Sequence, residues 1–211
     1  MHPTKLASFA LVLLAGIDFP CRAQVAVYNS FGPGNTYNTA VVWAVSGASV
    51  SGGYRGQAEF FTPAVSGSLN SILLATYHVS GSRLSNFFIA QDNGFGAPGA
   101  ILESFNNVSN PTGLLTLNSV AAPQLQAGTE YWLCDEPATA TSYNGWYYNK
   151  QGHTNGFAFE RSQWGWTPFP GPPASGVFEV TVTPVPEPPA ATLELLCASS
   201  VCLFWWRRRT A

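Results

Sequence analysis

The feature that most constrains the fold is a series of short β-forming runs separated by turn sequences. The runs are rich in β-branched and aromatic residues, and they lie at 56–62, 69–77, 85–91, 101–105, 129–134, 145–148, 156–160 and 176–183. Between them are turn-favouring sequences such as Thr62-Pro63, Asp92-Asn93-Gly94 and Asn110-Pro111. Helical periodicity is not evident in this part of the chain. We therefore predict an all-β fold, an antiparallel β-sandwich that is jelly-roll-like.

Composition and charge narrow the classes of function. The chain has 211 residues, with 9 lysines or arginines, 11 acidic residues and a formal net charge of −2. Nucleic-acid binding needs a basic face that neutralises phosphates, so such sparse charge predicts no nucleic-acid partner. An aromatic content of 14% opposes a disordered chain. The 4 cysteines are too few and too scattered for a disulfide scaffold or a four-thiolate zinc site.

The N-terminal residues have the pattern of a secretory signal peptide. Lys5 precedes an apolar run at residues 6–15, and the segment ends at a small residue, Ala23. The apolar run has no polar face, which a surface helix of the mature domain would need. We predict that residues 1–23 form a signal-peptide helix and that cleavage between Ala23 and Gln24 leaves Gln24 as the first residue of an extracellular domain, 24–184.

The C-terminal residues, 185–211, have the pattern of a membrane anchor. Val185, Pro186, Glu187 and Pro188 precede an apolar stretch at residues 190–206, and Arg207, Arg208 and Arg209 follow it. A helix of that length spans roughly 25 Å, the short end of what crosses a hydrocarbon core. The arginines predict a cytoplasmic end by the positive-inside rule. The domain would then lie outside the inner membrane, as the signal peptide requires independently.

This tail resembles the PEP-CTERM protein-sorting signal of Gram-negative bacteria, on the Val-Pro-Glu-Pro sequence, the single apolar span and the arginine cluster. The resemblance implies a transient anchor that an exosortase-type transpeptidase recognises at the Pro-Glu-Pro element and removes. The domain is then released or attached at the cell surface, commonly in organisms that make extracellular polysaccharide. Glu194 departs from the family pattern because it places a carboxylate in the apolar span. An ordinary single-pass anchor is the alternative.

The body is similar to the choice-of-anchor R group of surface domains over about residues 55–182. The most specific piece is the Ala-Gly-Thr-Glu-Tyr-Trp-Leu sequence at 127–133. Other matching pieces lie at 60–63, 66–69, 92–94 and 98–104, with late aromatic positions at 146, 157–159 and 164. The resemblance implies a β-sandwich with no established enzymatic activity.

A Cys–His nucleophile pair is one formal alternative to a non-enzymatic domain. The domain has one cysteine, Cys134, and two histidines, His78 and His153, with Asp135 or Glu136 as an orienting acid. Cys134 follows an apolar Tyr-Trp-Leu sequence, which favours a buried strand position over catalysis. The 8 acidic residues of the domain offer carboxylates for a glycosidase, but their sequence spacing does not pair them. We predict no enzyme, no catalytic residue and no cofactor.

Calcium binding is a further alternative. Asp92-Asn93-Gly94 offers side-chain oxygens, and Asp135 and Glu136 add two carboxylates. Asp-Asn-Gly is also a favoured turn sequence without any ion, and the spacing differs from that of an EF-hand loop. We predict no metal site.

The aromatic residues near the later loops are candidate sugar contacts, because a flat ring can stack on a sugar. The candidates are Trp146, Tyr147, Trp164 and Trp166. The alternative is that these rings close the ends of the sandwich core, since aromatic side chains give the largest burial energy per residue. The sequence thus predicts an exported, non-enzymatic β-sandwich at the cell surface or in the extracellular matrix. The rival functions are a carbohydrate-binding module for extracellular polysaccharide and a secreted hydrolase.

Overall fold

The computed structural model of the chain describes residues 23–154, 159–162, 165–168 and 174–185. Within these ranges the regular structure is β-strand, apart from one 3-10 turn at Pro33–Asn35. The strands are β1 Val25–Asn29, β2 Asn38–Ser46, β3 Gly56–Phe61, β4 Gly67–Gly81, β5 Leu84–Asp92, β6 Pro98–Ser109, β7 Gly113–Asn118, β8 Gln124–Leu125, β9 Tyr131–Pro137, β10 Ser142–Tyr148, β11 Phe159–Ser162, β12 Gly165–Pro168 and β13 Phe178–Pro184.

The strands form two antiparallel sheets. The first sheet has the order β1-β13-β4-β10-β2, and β7 and β8 also pair with β4. Strand β4 has 15 residues, so it accommodates β13 along 67–74 and β10 along 76–81. The second sheet has the order β12-β11-β3-β9-β5-β6. The all-β, antiparallel fold predicted from the sequence is confirmed.

The two sheets share one hydrophobic core, to which alternate residues of their strands contribute. In β13, Phe178, Val180 and Val182 have no exposed area, whereas Glu179 and Thr181 between them are partly exposed. The sequence of this run has the same alternation, because Phe178, Val180 and Val182 are separated by single residues and so share one face of a strand. The core also contains large side chains from both sheets, namely Phe61, Leu69, Ile72, Leu74, Phe87, Ile89, Tyr131, Leu133 and Trp146.

Each sheet also carries apolar residues on its outer face. In β9, Trp132 and Cys134 point away from the shared core and pack with Ala58, Phe88 and Ala90 of neighbouring strands. On the other sheet, a second outer cluster contains Phe31, Ala75, Tyr147 and Val177. A strand with apolar residues on both faces has no clean polar–apolar alternation, so its inner face is hard to assign from sequence.

The signal-peptide helix and the transmembrane helix expected at the two ends lie outside the described residues. Among the residues that are described, no helix has the length and apolar character needed to cross a membrane.

Glu103 of β6 holds the loop that follows β7 against the second sheet. Its Oε1 accepts hydrogen bonds from the backbone N–H groups of Val120 (2.6 Å) and Ala121 (3.0 Å), and its Oε2 accepts one from the Ser119 hydroxyl. Ala122, at the end of this loop, has a φ of 47°, a left-handed conformation that alanine rarely adopts. The buried carboxylate therefore satisfies two backbone amides and one hydroxyl of this loop.

We expect Glu103→Ala to lower the free energy of unfolding by about 2 kcal/mol, because hydrogen bonds to charged groups are stronger than neutral ones. Urea denaturation followed by circular dichroism measures the change. Glu103→Gln keeps an acceptor oxygen, so its free energy of unfolding should decrease less than that of Glu103→Ala. Equal stability of Glu103→Ala and wild type would show that the carboxylate does not hold the loop.

Candidate functional site

Those of the predicted sugar-contacting aromatic residues that the structure describes do not share a surface. Trp146 has no exposed area, and its indole Nε1 donates a hydrogen bond to the carbonyl oxygen of Val177 at 3.0 Å. Its ring packs against that of Phe178, with centroids 5.5 Å apart. A ring with no exposed area cannot stack on a sugar. The prediction of a sugar contact is therefore wrong for Trp146, which belongs to the core.

The other candidates lie on opposite sides of the molecule or outside the described residues. Tyr147 follows Trp146 in β10 and therefore faces outward from the first sheet, where it is 6% exposed. Trp166 of β12 packs on the outer face of the second sheet, with its ring centroid 6.2 Å from that of Phe88. Trp164 lies outside the described residues. Tyr147 borders a groove on the outer face of the first sheet.

A shallow groove of about 220 Å³ crosses the outer face of the first sheet. Strand β10 lies between β4 and β2, so the groove takes residues from all three strands. It is lined by Thr39, Ala40, Val42, Tyr77 and Tyr147, none of which is charged. We call these five residues together with Tyr37 the tyrosine groove.

The strand register explains why these residues meet. Tyr147 pairs with Val42 of β2, and Gly145, two residues earlier on the same face, pairs with Tyr77 of β4. Position 145 has to be glycine because an added Cβ would lie 2.9 Å from the side chain of Val42. The missing side chain leaves room between Tyr77 and the edge strand.

Three tyrosine rings converge at the tyrosine groove. The ring of Tyr147 lies 5.2 Å from that of Tyr37 and 5.7 Å from that of Tyr77, measured between centroids. Burial raises the pKa of Tyr147, and the neighbouring phenols of Tyr37 and Tyr77 raise it further. Tyr77 is the most accessible of the lining aromatics, at 36% exposure. None of the three hydroxyls has a hydrogen-bond partner among the described residues.

The interior contains two acidic side chains on adjacent strands of the second sheet. Glu59 of β3 is 1% exposed and Asp135 of β9 is 0% exposed. Burial raises the pKa of Glu59 to about 8, and a hydrogen bond from the backbone N–H of Gly176 partly opposes the shift. Burial also raises the pKa of Asp135 well above its ordinary value, with the Ser85 hydroxyl opposing and Glu136 adding to the rise. A hydrolytic pair has to touch its substrate, which neither carboxyl can do at this burial.

The Cys–His alternative is not supported for the pair Cys134 and His78. Cys134 is fully buried on the outer face of the second sheet, beside Trp132. His78 lies in the first sheet, where its Nδ1 is 3.1 Å from Oδ1 of Asn144. The structure therefore does not bring Cys134 and His78 together.

The Asp92-Asn93-Gly94 sequence forms a turn whose side-chain oxygens are occupied by the protein. Oδ1 of Asp92 accepts a hydrogen bond from Nε1 of Trp132 at 2.9 Å, and Oδ2 accepts one from the N–H of Gly94 at 2.7 Å. Asn93 accepts another from the N–H of Phe95. In the part of the chain that the structure describes, no cluster of three or more His, Cys, Asp or Glu residues is placed to hold a metal ion.

Sequence reasoning named Tyr147 but missed Tyr77 and Tyr37. The signal available for Tyr77 was its position at the end of a predicted strand, where Leu73, Ala75 and Tyr77 share one face. For Tyr37, no local pattern indicates that its ring reaches Tyr147. Comparison with known proteins finds no matching family model and no matching curated protein.

Proposed function

We propose that residues 24–184 are an exported, non-enzymatic domain displayed at the surface or in the extracellular matrix of a Gram-negative cell. In this proposal residues 1–23 direct export across the inner membrane. Residues 185–211 then anchor the chain transiently, and an exosortase-type enzyme processes the anchor at Pro186-Glu187-Pro188.

The observation that best supports this proposal is the position of the first and last strands. Strand β1 begins at Val25, just after the predicted cleavage site, and β13 ends at Pro184, just before Val185. The two strands are antiparallel neighbours, with Val25 opposite Val182. The start of β1 therefore lies beside the end of β13. Both membrane-directed segments leave the domain at the same end, so one membrane can receive both.

The boundary between the domain and the sorting motif is also physically sharp. The N–H of Val185 lies 3.4 Å from the carbonyl oxygen of Ser66, and the Val185 side chain is 51% exposed. Proline has no N–H to donate, so Pro186 and Pro188 cannot extend the ladder of β13. A processing enzyme would therefore meet the exposed Val185, the first residue of the motif, directly after the last strand.

The strand order supports the finer description of the domain as a jelly roll. In the first sheet β2, β10, β4 and β7 are successive neighbours, and in the second sheet β3, β9, β5 and β6 are successive neighbours. We infer that these eight strands are the two four-stranded sheets of a jelly roll, with β1 and β13 added to the first sheet and β11 and β12 to the second.

Processing predicts a specific change in mass. Intact-mass spectrometry of the protein recovered from the cell surface or medium should show Gln24 as the first residue and loss of the segment containing Trp205 and Arg209. Recovery of the intact tail from surface protein would contradict processing. It would leave the ordinary single-pass anchor as the better description.

Glu187→Ala should retain the tail, because it removes the carboxylate of the recognition element. Glu179→Ala is the matched control, since Glu179 is an acidic residue of β13 that makes only an exposed hydrogen bond to Asn29. The control should be processed like wild type. Normal processing of Glu187→Ala would exclude recognition through this carboxylate.

A further inference from the structure

We propose that the tyrosine groove binds a neutral saccharide unit of an uncharged extracellular polysaccharide. The proposal rests on the proposed function, because display outside the cell is what brings the domain into contact with such a polymer. It places the sugar contact on the outer face of the first sheet, at the predicted residue Tyr147, and not at Trp146, which is buried in the core.

The aromatic rings give the groove the surface that a sugar ring needs. The C–H face of a pyranose is apolar and packs on aromatic rings, while its hydroxyls need hydrogen-bond partners. Tyr77 presents the exposed ring, and Tyr147 forms part of the lining beside it. Tyrosine supplies rigid, amphipathic contact area at low cost in conformational entropy.

The polar groups of the groove fit a polyhydroxyl ligand. The hydroxyls of Tyr37, Tyr77 and Tyr147 have no hydrogen-bond partner among the described residues, and each can donate one hydrogen bond and accept others. Thr39, on the exposed side of the groove, adds a fourth hydroxyl. Hydroxyl groups that line a groove beside aromatic rings can fix the orientation of a small polyhydroxyl ligand.

The absence of charge in the lining selects a neutral ligand. Recognition of a carboxylate or phosphate favours arginine or lysine, and the five lining residues include neither. The volume of about 220 Å³ lies below the range typical of drug-sized ligands, so the groove holds a short element of a polymer. Strand β2 is the outermost strand on this side of the first sheet, so the remaining units can extend past the edge.

Affinity gel electrophoresis of the full chain in mild detergent tests the proposal. The probes are a soluble β-glucan and a galactomannan as neutral polymers, and alginate as an acidic one. We expect at least one neutral polymer to retard wild type. Tyr77→Ala should weaken that binding about tenfold or more, as loss of a central aromatic contact does at other interfaces. Tyr77→Phe keeps the ring, so its affinity for the polymer should decrease less than that of Tyr77→Ala.

Phe95→Ala is the matched control, because Phe95 is an aromatic residue with 92% exposure in the turn between β5 and β6 of the other sheet. It should bind like wild type. Unfolding midpoints of all variants establish that the fold is intact. The proposal is overturned by unretarded wild type in both neutral polymers, by unchanged binding of Tyr77→Ala, or by retardation in alginate alone.

Failure of this inference and failure of the proposed function give different results. A processed tail without saccharide binding rejects the groove as a sugar site and leaves sorting in place. Saccharide binding by a protein whose surface form keeps its tail rejects processing and supports the groove.

Discussion

Trp146→Ala is expected to remove about 3–5 kcal/mol from the free energy of unfolding. The indole fills space between the sheets beside Phe178, and its Nε1 satisfies the carbonyl of Val177. The substitution leaves a cavity and also an unpaired buried carbonyl group. Because domains are stable by only about 5–15 kcal/mol, this loss is a large fraction of the total stability. Urea denaturation monitored by circular dichroism measures it without relying on tryptophan fluorescence.

Two further variants separate the contributions of packing and hydrogen bonding at position 146. Trp146→Phe keeps most of the apolar volume and loses the hydrogen bond. Its free energy of unfolding should therefore lie between those of wild type and Trp146→Ala. Val120→Ala, at a side chain with 92% exposure, should leave the midpoint unchanged. An unchanged midpoint for Trp146→Ala would contradict the core position of the indole and return Trp146 to the candidate surface contacts.

The strands that the sequence predicts are those whose own residues favour extended structure. The run at 176–183 alternates cleanly, and β13 places Phe178, Val180 and Val182 in the core as that alternation requires. Strand β7 is different, because its Leu-Leu-Thr-Leu sequence has weak β-propensity by itself. It becomes a strand through pairing with β4, where Leu117 lies opposite Ile72. A strand that depends on such long-range pairing has no recognisable pattern in its own local sequence.

Long-range strand pairing also explains why the sequence did not show which of the aromatic residues are buried. Trp146 and Tyr147 are adjacent in sequence and in a strand must point to opposite faces, but local sequence does not tell which face is buried. Pairing of β10 with both β4 and β2 decides it, and it also brings Tyr77 next to Tyr147. The sequence therefore indicated the region of the groove and named only one of its three tyrosines.

The interior position of Glu59 could not be predicted from the sequence for a related reason. In β3 the apolar residues Ala58 and Phe60 belong to the cluster on the outer face, so Gln57 and Glu59 face the interior with Phe61. An alternating strand would ordinarily be assigned the opposite orientation. In the second sheet the polar residues of β3 can face the interior because other apolar residues cover Ala58 and Phe60 on the outer face.

Glu59→Gln is expected to stabilise the protein at alkaline pH and to change little at pH 5. The folded protein holds a proton on Glu59 up to its pKa of about 8, whereas the unfolded chain releases that proton near the ordinary value of 4.5. The stability that this group contributes is therefore complete below about pH 4.5 and decreases as the pH rises towards 8. With about 1.4 kcal/mol for each pKa unit, the decrease is on the order of 4 kcal/mol.

Glutamine does not ionise, so its side chain imposes no such decrease. It retains an oxygen to accept the hydrogen bond from Gly176, and it has nearly the same size and shape as glutamate. We expect the thermal midpoint of Glu59→Gln to exceed that of wild type by about 10 °C at pH 8, using the usual 2–4 °C per kcal/mol for domains of this size. Thermal unfolding monitored by circular dichroism from pH 5 to pH 9 gives both curves.

Asp135 determines how much pH dependence remains in the variant. Its pKa is also raised by burial, so its contribution to stability decreases with rising pH in the same direction as that of Glu59. Glu59→Gln should therefore keep a residual slope, which the double variant with Asp135→Asn should largely remove. Glu179→Gln, at a partly exposed position of β13, is the control and should follow wild type. Parallel curves for Glu59→Gln and wild type would show that Glu59 does not hold its proton inside the folded domain, and hence that this carboxyl reaches solvent.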